Sequence, residues 1–240
     1  MVYFFVKGTT TRHIVNTTIG VLGMSYFFGW EIVQVALESL VAYLLMLYLP
    51  RDQQHKYVCG FVFGYLSLQH VGKLFYHFGT YDLEITTNTM LLTLRLQALS
   101  CSLYDGARDP KQLTERQKLM MVKELPSVLE MTSYTFLACQ FSCGIFIEYR
   151  DFKNWIENTQ EYAKTPNPIP ASLQTCATGV FCLVVCILGG MYFPIERCWS
   201  DELLNDSFLW RIVYVNLAWG TKRYFYYVAF VFATAACQAC

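Results

Sequence analysis

Charge is scarce in this sequence. Aspartate, glutamate, lysine and arginine make up 15% of its 240 residues, where a soluble domain carries about 25%. The formal net charge is zero, so no electrostatic footprint for nucleic acid exists. Paired metal ligands in polar turns are missing, which removes a zinc site. Met1 to Gly8 offers no basic stretch followed by an apolar run and a small-residue cleavage site. No cleavable signal peptide is expected, and the first apolar helix would serve as its own insertion signal. No internal repeat is visible, and no segment is long enough for a soluble domain. The ten cysteines do not read as a disulfide framework. Cys139, Cys143, Cys176, Cys182 and Cys186 lie inside apolar stretches, where a cysteine is usually a small buried hydrophobe.

Apolar surface is what the chain has. Apolar residues reach 55% and aromatics 17%. A bilayer core about 30 Å thick needs roughly 20 apolar residues in a helix. Six or seven segments approach that length. They run from about His13 to Trp30, Ile32 to Leu49, Tyr57 to Phe75, Leu83 to Tyr104, Pro126 to Ile147 and Leu173 to Phe193. The last, Phe208 to Ala236, is too long for one straight span. It is expected to break at Trp219-Gly220-Thr221-Lys222-Arg223. The expected fold is therefore all-α: a polytopic transmembrane helix bundle of six or seven spanning or re-entrant segments. Residues 1–240 form one membrane domain in this reading, and the lipid bilayer is the first partner.

Basic residues in short loops set orientation. Lys7 and Arg12 precede the first span, Arg51 and Lys56 follow the second, and the 105–124 loop holds Arg108, Lys111, Arg116, Lys118 and Lys123. The turns near Trp30 and around 77–82 have neither lysine nor arginine. This alternation places the N-terminus, the 50s loop and the 105–124 loop in the cytosol. The 148–172 loop breaks the pattern, because it carries Arg150, Lys153 and Lys164. Within 105–124, Asp109, Pro110 and Gln112 predict a capped amphipathic helix with Leu113, Met120 and Leu125 on one side. The 148–172 loop opens amphipathically with Phe152, Trp155 and Ile156, then breaks at Thr165 to Pro170.

Charges inside spans cost about 2.5–3.5 kcal/mol each on insertion scales. Glu38, Arg95 and Glu130 fall within expected spans, as do Gln69, His70, Lys73, Gln97 and Gln140. Either they pair across helices and hold the bundle, or several line a polar chamber. His13 and His55 are expected at solvated interfaces. His70 and His77 stand seven apart, which is not a chelating spacing. The sequons at Asn16 and Asn205 and the Cys237-Gln238-Ala239-Cys240 run match modification or redox patterns without their usual setting.

An ordered series of short motifs runs through the chain. Tyr81-Asp82-Leu83-Glu84 leads into Leu92-Thr93-Leu94-Arg95-Leu96 and Ser102-Leu103-Tyr104-Asp105-Gly106. Then come Glu124-Leu125-Pro126-Ser127-Val128-Leu129-Glu130, Gln140-Phe141-Ser142, Tyr149-Arg150-Asp151-Phe152, Trp219-Gly220 and Tyr224-Phe225-Tyr226-Tyr227. This series resembles the membrane-bound O-acyltransferase family, in its lysophospholipid acyltransferase branch, closest to the polytopic lysophosphatidylcholine acyltransferases. The resemblance implies acyl transfer from acyl-CoA, as co-substrate, to a lysophospholipid hydroxyl in the endoplasmic reticulum membrane. It implies no bound cofactor. The chemistry needs a base beside the hydroxyl and a polar group for the developing oxyanion.

The family's histidine stands in a Trp-His-Gly setting, with an asparagine upstream. Neither motif occurs here, and Tyr76-His77-Phe78-Gly79 lies before the expected place. Both motifs are expected beyond Cys240, so the chain reads as part of a longer membrane domain without a catalytic residue of its own. By position in the pattern, Arg95, Tyr104, Asp105, Gln140 and Ser142 are the expected chamber groups. The rival readings are a truncated regulator that pairs with a full-length relative, and a membrane transporter.

Overall fold

The computed structural model describes residues 6, 8–76, 85–138, 146–159 and 167–239. Their regular structure is helical, with no strand among the described residues. The chain divides into two compact units, Met1–Pro166 and Asn167–Cys240.

The first unit opens with α1 (Thr9–Phe28) and α2 (Ile32–Tyr48), separated by a single tight turn, Gly29–Glu31. Gly29 has φ 54°, a conformation that a β-carbon disfavours, and the helix breaks there. Leu49 is extended (φ −87°, ψ 149°), as the residue before a proline should be, and Pro50 ends α2. Then follow α3 (Gln54–Tyr76) and α4 (Thr86–Gly106). The His55 and Tyr104 rings lie 4.2 Å apart. That contact brings the start of α3 beside the end of α4. The 50s loop and the 105–124 loop thus share one end of the unit, which agrees with the basic-residue pattern.

Three short helices complete this unit: α5 (Glu115–Met120), α6 (Val128–Thr135) and α7 (Tyr149–Glu157). The single amphipathic helix expected over 105–124 is instead two pieces, a turn at Pro110–Gln112 and α5. Asp109 caps the turn as expected, but the capping box belongs to Thr114 and Gln117. Extended backbone at Leu113 and Thr114 separates the pieces, and the Thr114 hydroxyl starts the second by accepting the Gln117 backbone amide. The amphipathic opening of the 148–172 loop is present as α7, which buries Tyr149, Phe152 and Ile156 and ends at the left-handed Asn158.

The fifth expected span is not a continuous helix. α6 has 8 residues, about 12 Å, and leaves helical geometry at Phe136 (φ −98°, ψ 54°). A side chain from α1 accounts for that end. Asn16 donates from Nδ2 to the Ser133 carbonyl and hydroxyl, both at 2.9 Å, and accepts the Ala138 amide at 3.1 Å. It satisfies backbone groups that a continuing helix would have used internally. Asn16 is buried, so the sequon reading of that residue fails.

The second unit pairs α8 (Ile169–Tyr192) with α10 (Phe208–Ala239), joined through a turn at Ile195–Trp199 and the short α9 (Asp201–Asn205). The break expected at Trp219 to Arg223 does not occur. α10 is one helix of 32 residues, about 48 Å long. No proline interrupts it, and the Thr221 hydroxyl bonds back to the Leu217 carbonyl at 3.0 Å. Small residues let the two helices approach closely. A β-carbon on Gly179 would lie 3.1 Å from the Phe232 ring, and one on Gly189 would lie 2.6 Å from Thr221.

Among the described residues, two stretches are long and apolar enough to cross a membrane, Thr9–Tyr48 and Ile169–Tyr192. α3, α4 and α10 have the length but fall short of the same composition.

Gly20 and Gly60 make a matched test of packing. A β-carbon on Gly20 would collide with the Phe136 carbonyl, whereas Gly60 faces open space. Gly20→Ala should cost about 1–3 kcal/mol of stability. Gly60→Ala should be neutral or gain up to about 1 kcal/mol. Thermal unfolding in detergent reads both.

Candidate functional site

α4 is the central helix of the first unit. Its buried residues include Asn88, Thr89, Thr93, Arg95 and Ser100 alongside four leucines. Polar groups on α2 and α3 meet this helix along a seam. Gln69 donates to Gln34 at 2.9 Å, and Thr89 donates to Gln69 at 2.8 Å. One turn further, Thr93 donates to the Glu38 carboxylate at 2.8 Å. Gln34 and Glu38 are four apart on α2, as are Thr89 and Thr93 on α4, so each pair lies on one helix face. Glu38 is fully buried, and its Oε2 has no hydrogen-bond partner among the described residues. Beside it, Ser39 and Thr135 share a hydroxyl–hydroxyl bond of 2.6 Å that ties α2 to α6.

Arg95 turns toward α6. It is 2% exposed, and its guanidinium stands 4.1 Å from the centre of the Tyr134 ring. Tyr134 donates to the Ile147 carbonyl at 2.8 Å and packs edge-on against Tyr149. Burial pushes the Tyr134 phenol upward, against the pull of Arg95, so it remains a neutral donor. A buried guanidinium keeps its charge and is suited to an oxyanion or a phosphate oxygen.

Tyr104 and Asp105 lie elsewhere. They occupy the last turn of α4, about 15 Å along the helix from Arg95. Asp105 accepts from the Gln117 side-chain Nε2 at 3.3 Å, with Arg108 at 4.0 Å. A β-carbon on Gly106 would collide with the Val122 carbonyl, and the Val122 amide donates to the Ser102 carbonyl at 2.9 Å. Ser102, Asp105 and Gly106 therefore dock the 114–123 segment on the end of α4, while Tyr104 stacks on His55. Of the five expected chamber residues, Arg95 is buried among aromatic groups, Asp105 belongs to this separate dock and Tyr104 stacks on His55 beside it. Gln140 and Ser142, like His77, lie outside the described residues.

Other polar residues also differ from expectation. His13 is buried against the Phe152 ring at 6.0 Å instead of being solvated, and His55 is half-buried on Tyr104. Of the group at 69, 70 and 73, Gln69 joins the seam while His70 is exposed. Asn16, Gln34, Tyr134 and the Ser39–Thr135 pair were missed. The four-residue spacings of Gln34 with Glu38 and Thr89 with Thr93 were the available signal.

Residues 71–240 fit the family model described as MBOAT, membrane-bound O-acyltransferase family. The chain belongs to that family. Among curated members of the membrane-bound O-acyltransferases, it is 27% identical to membrane-bound glycerophospholipid O-acyltransferase 2 of Homo sapiens, over 93% of this chain and 46% of that protein. It is 28% identical to lysophospholipid acyltransferase 5 of Bos taurus, over 94% of the chain and 46% of the relative. For lysophospholipid acyltransferase 6 of Drosophila melanogaster the identity is 24%, over 95% and 34%. The chain thus spans half or less of these relatives. As a family member it is an integral membrane protein, and the motif series lies within the matched region from Tyr81 onward.

Glu130 was read as an intramembrane charge, but α6 and α7 are too short to span. Its carboxylate closes the Ser127 capping box at 2.7 Å and pairs with Lys153 at 2.9 Å. Burial pushes the carboxyl up, but the Ser127 backbone amide and Lys153 more than offset this and hold it below the ordinary glutamate range. A lowered folded value means the stabilisation is present above the unfolded value and is lost as pH falls through the folded one. Thermal midpoints in detergent from about pH 7 to about pH 3 should show an acid loss that is smaller in Glu130→Gln. An equal acid loss in both would remove Glu130 as its source.

Proposed function

We propose that this chain is scaffold and part of the substrate chamber of an acyl-CoA-dependent lysophospholipid O-acyltransferase that remodels phospholipids in the endoplasmic reticulum membrane. The observation that carries the reading is the family match over residues 71–240, which includes the buried Arg95. The relatives' names supply the substrate class, lysophospholipid or glycerophospholipid. Acyl-CoA is the co-substrate in this reading, and no cofactor is needed. Arg95 is one chamber group, placed to hold negative charge on a phosphate or on the reacting oxygen. Gln140 and Ser142 are further chamber groups, on motif position. Tyr104 and Asp105 act at one remove: Asp105 holds Gln117 and so the 114–123 segment, and Tyr104 stacks on His55 and so joins the end of α4 to the start of α3. The base is not among these residues, since no Trp-His-Gly triplet occurs in the sequence.

The bundle spans the membrane several times in this proposal, with α3, α4 and α10 crossing beside the two apolar stretches. Within each unit their polar faces turn toward neighbouring helices of that unit, where a polar residue costs least.

The test sequences the transcript past the Cys240 codon and compares residues 1–240 with any longer reading frame found there. Both are expressed in membranes of a host depleted of its own lysophospholipid acyltransferases. Labelled acyl-CoA and lysophospholipid are added, and labelled phospholipid is measured. The longer frame should transfer acyl groups and residues 1–240 alone should not. Arg95→Lys in the active protein should lower kcat/KM by roughly 10- to 100-fold, because it keeps charge but loses the planar fork. Turnover by residues 1–240 alone would contradict the assignment of the base, and full activity of Arg95→Lys would remove that residue from the chamber.

A further inference from the structure

The segment between α8 and α10 is folded, not slack. Tyr214 donates to the Pro194 carbonyl at 2.9 Å, and Arg197 lies 5.3 Å from the Tyr214 ring. Arg197 also meets Asp206 at 3.3 Å, and Ser200 donates to the Arg197 carbonyl at 2.9 Å. Leu203 and Tyr214 are buried together beneath these contacts. The segment therefore has a small core and internal partners for Arg197, Ser200 and Asp206. Yet it leaves large apolar side chains outside. Trp199 is 75% exposed, Leu204 65% and Phe208 66%, and Tyr192 at the end of α8 is 75% exposed.

A folded loop in water does not keep such a patch uncovered without a partner. Two features identify the partner. The patch continues the outer surface of α8, a helix apolar and long enough to span a membrane, whose exposed side chains include Phe181, Ile187 and Leu188. Two of its three aromatic members, Trp199 and Tyr192, are the residue types that settle at the headgroup level. Charge argues for a neutral lipid surface. The segment holds Glu196, Asp201, Glu202 and Asp206 against Arg197 alone, so anionic headgroups would be repelled.

We propose that residues 193–208 form an interfacial anchor, with Trp199, Leu204 and Phe208 seated at the headgroup–acyl boundary of a zwitterionic bilayer. Burial of their apolar area holds the ends of α8 and α10 at one membrane surface. The paired Arg197 network keeps the segment folded, so the anchor needs little ordering on insertion.

The experiment uses the full chain in phosphatidylcholine vesicles whose acyl chains carry bromine near the headgroup. Trp30, Trp155, Trp210 and Trp219 are replaced by phenylalanine, leaving Trp199 as the fluorophore. The anchor predicts that bromine removes most of the Trp199 emission, and that salt does not restore it. Quenching by aqueous iodide with none by bromolipid would place the loop in water. Shielding from both quenchers would mean that protein covers it. Either result overturns the proposal. If the fourfold variant does not fold by circular dichroism, Trp199→Phe is compared with the unaltered chain. The bromolipid-quenched fraction must then fall, and an unchanged fraction overturns the anchor.

Discussion

A polar group inside a membrane protein must find its partner inside the protein. Lipid tails offer no hydrogen bond, so each unmet donor or acceptor costs several kcal/mol. The arrangement of the first unit follows from that constraint. α1, α2, α3, α4 and α6 meet where polar side chains close on one another: Asn16 on α6, Ser39 on Thr135, Gln69 on Gln34 and Thr89, Thr93 on Glu38. Leucine surfaces could slide past one another in lipid with little preference. Paired amides and hydroxyls fix the register.

Asn16 shows how one such contact shapes the chain. It takes the carbonyl and amide that α6 would otherwise have used to continue. The helix stops, and the backbone at Phe136 comes so close to α1 that only glycine fits at position 20. Tyr134, in that short helix, then stands under Arg95, and its hydroxyl anchors Ile147 just before α7. Sequence motif, helix end and buried cation are thus parts of one local construction. A chamber built there would inherit a fixed positive charge from Arg95, which suits chemistry on phosphate or thioester oxygen.

The helical character and most long helices were legible, because apolar length and proline positions are local signals. Pro50 ended α2, and the apolar positions of α7 marked its buried face. The expected fifth span failed because its end is set by Asn16, more than 100 residues away. The expected break at Trp219 to Arg223 failed because charge and glycine do not stop a helix as proline does. The family was legible from motif order. The partners of Arg95 were not, since a cation over an aromatic ring across two helices leaves no spacing in the sequence. Gln140 and Ser142, chosen on motif position alone, remain proposals.

The central claim is that polar pairs across α2, α3 and α4 hold this membrane scaffold in register. The direct measurement is a double-mutant cycle on Glu38 and Thr93, using Glu38→Gln, Thr93→Val and the double variant, with unfolding free energies read in a lipid-like micelle. Polar pairs between membrane helices are typically worth about 0.6 kcal/mol and up to about 1.7 kcal/mol by this method. The account predicts a favourable coupling in that range, with the double variant less destabilised than the two single losses added. Strict additivity would mean that the pair does not hold α2 to α4, and the seam would then be a consequence of packing, not its cause.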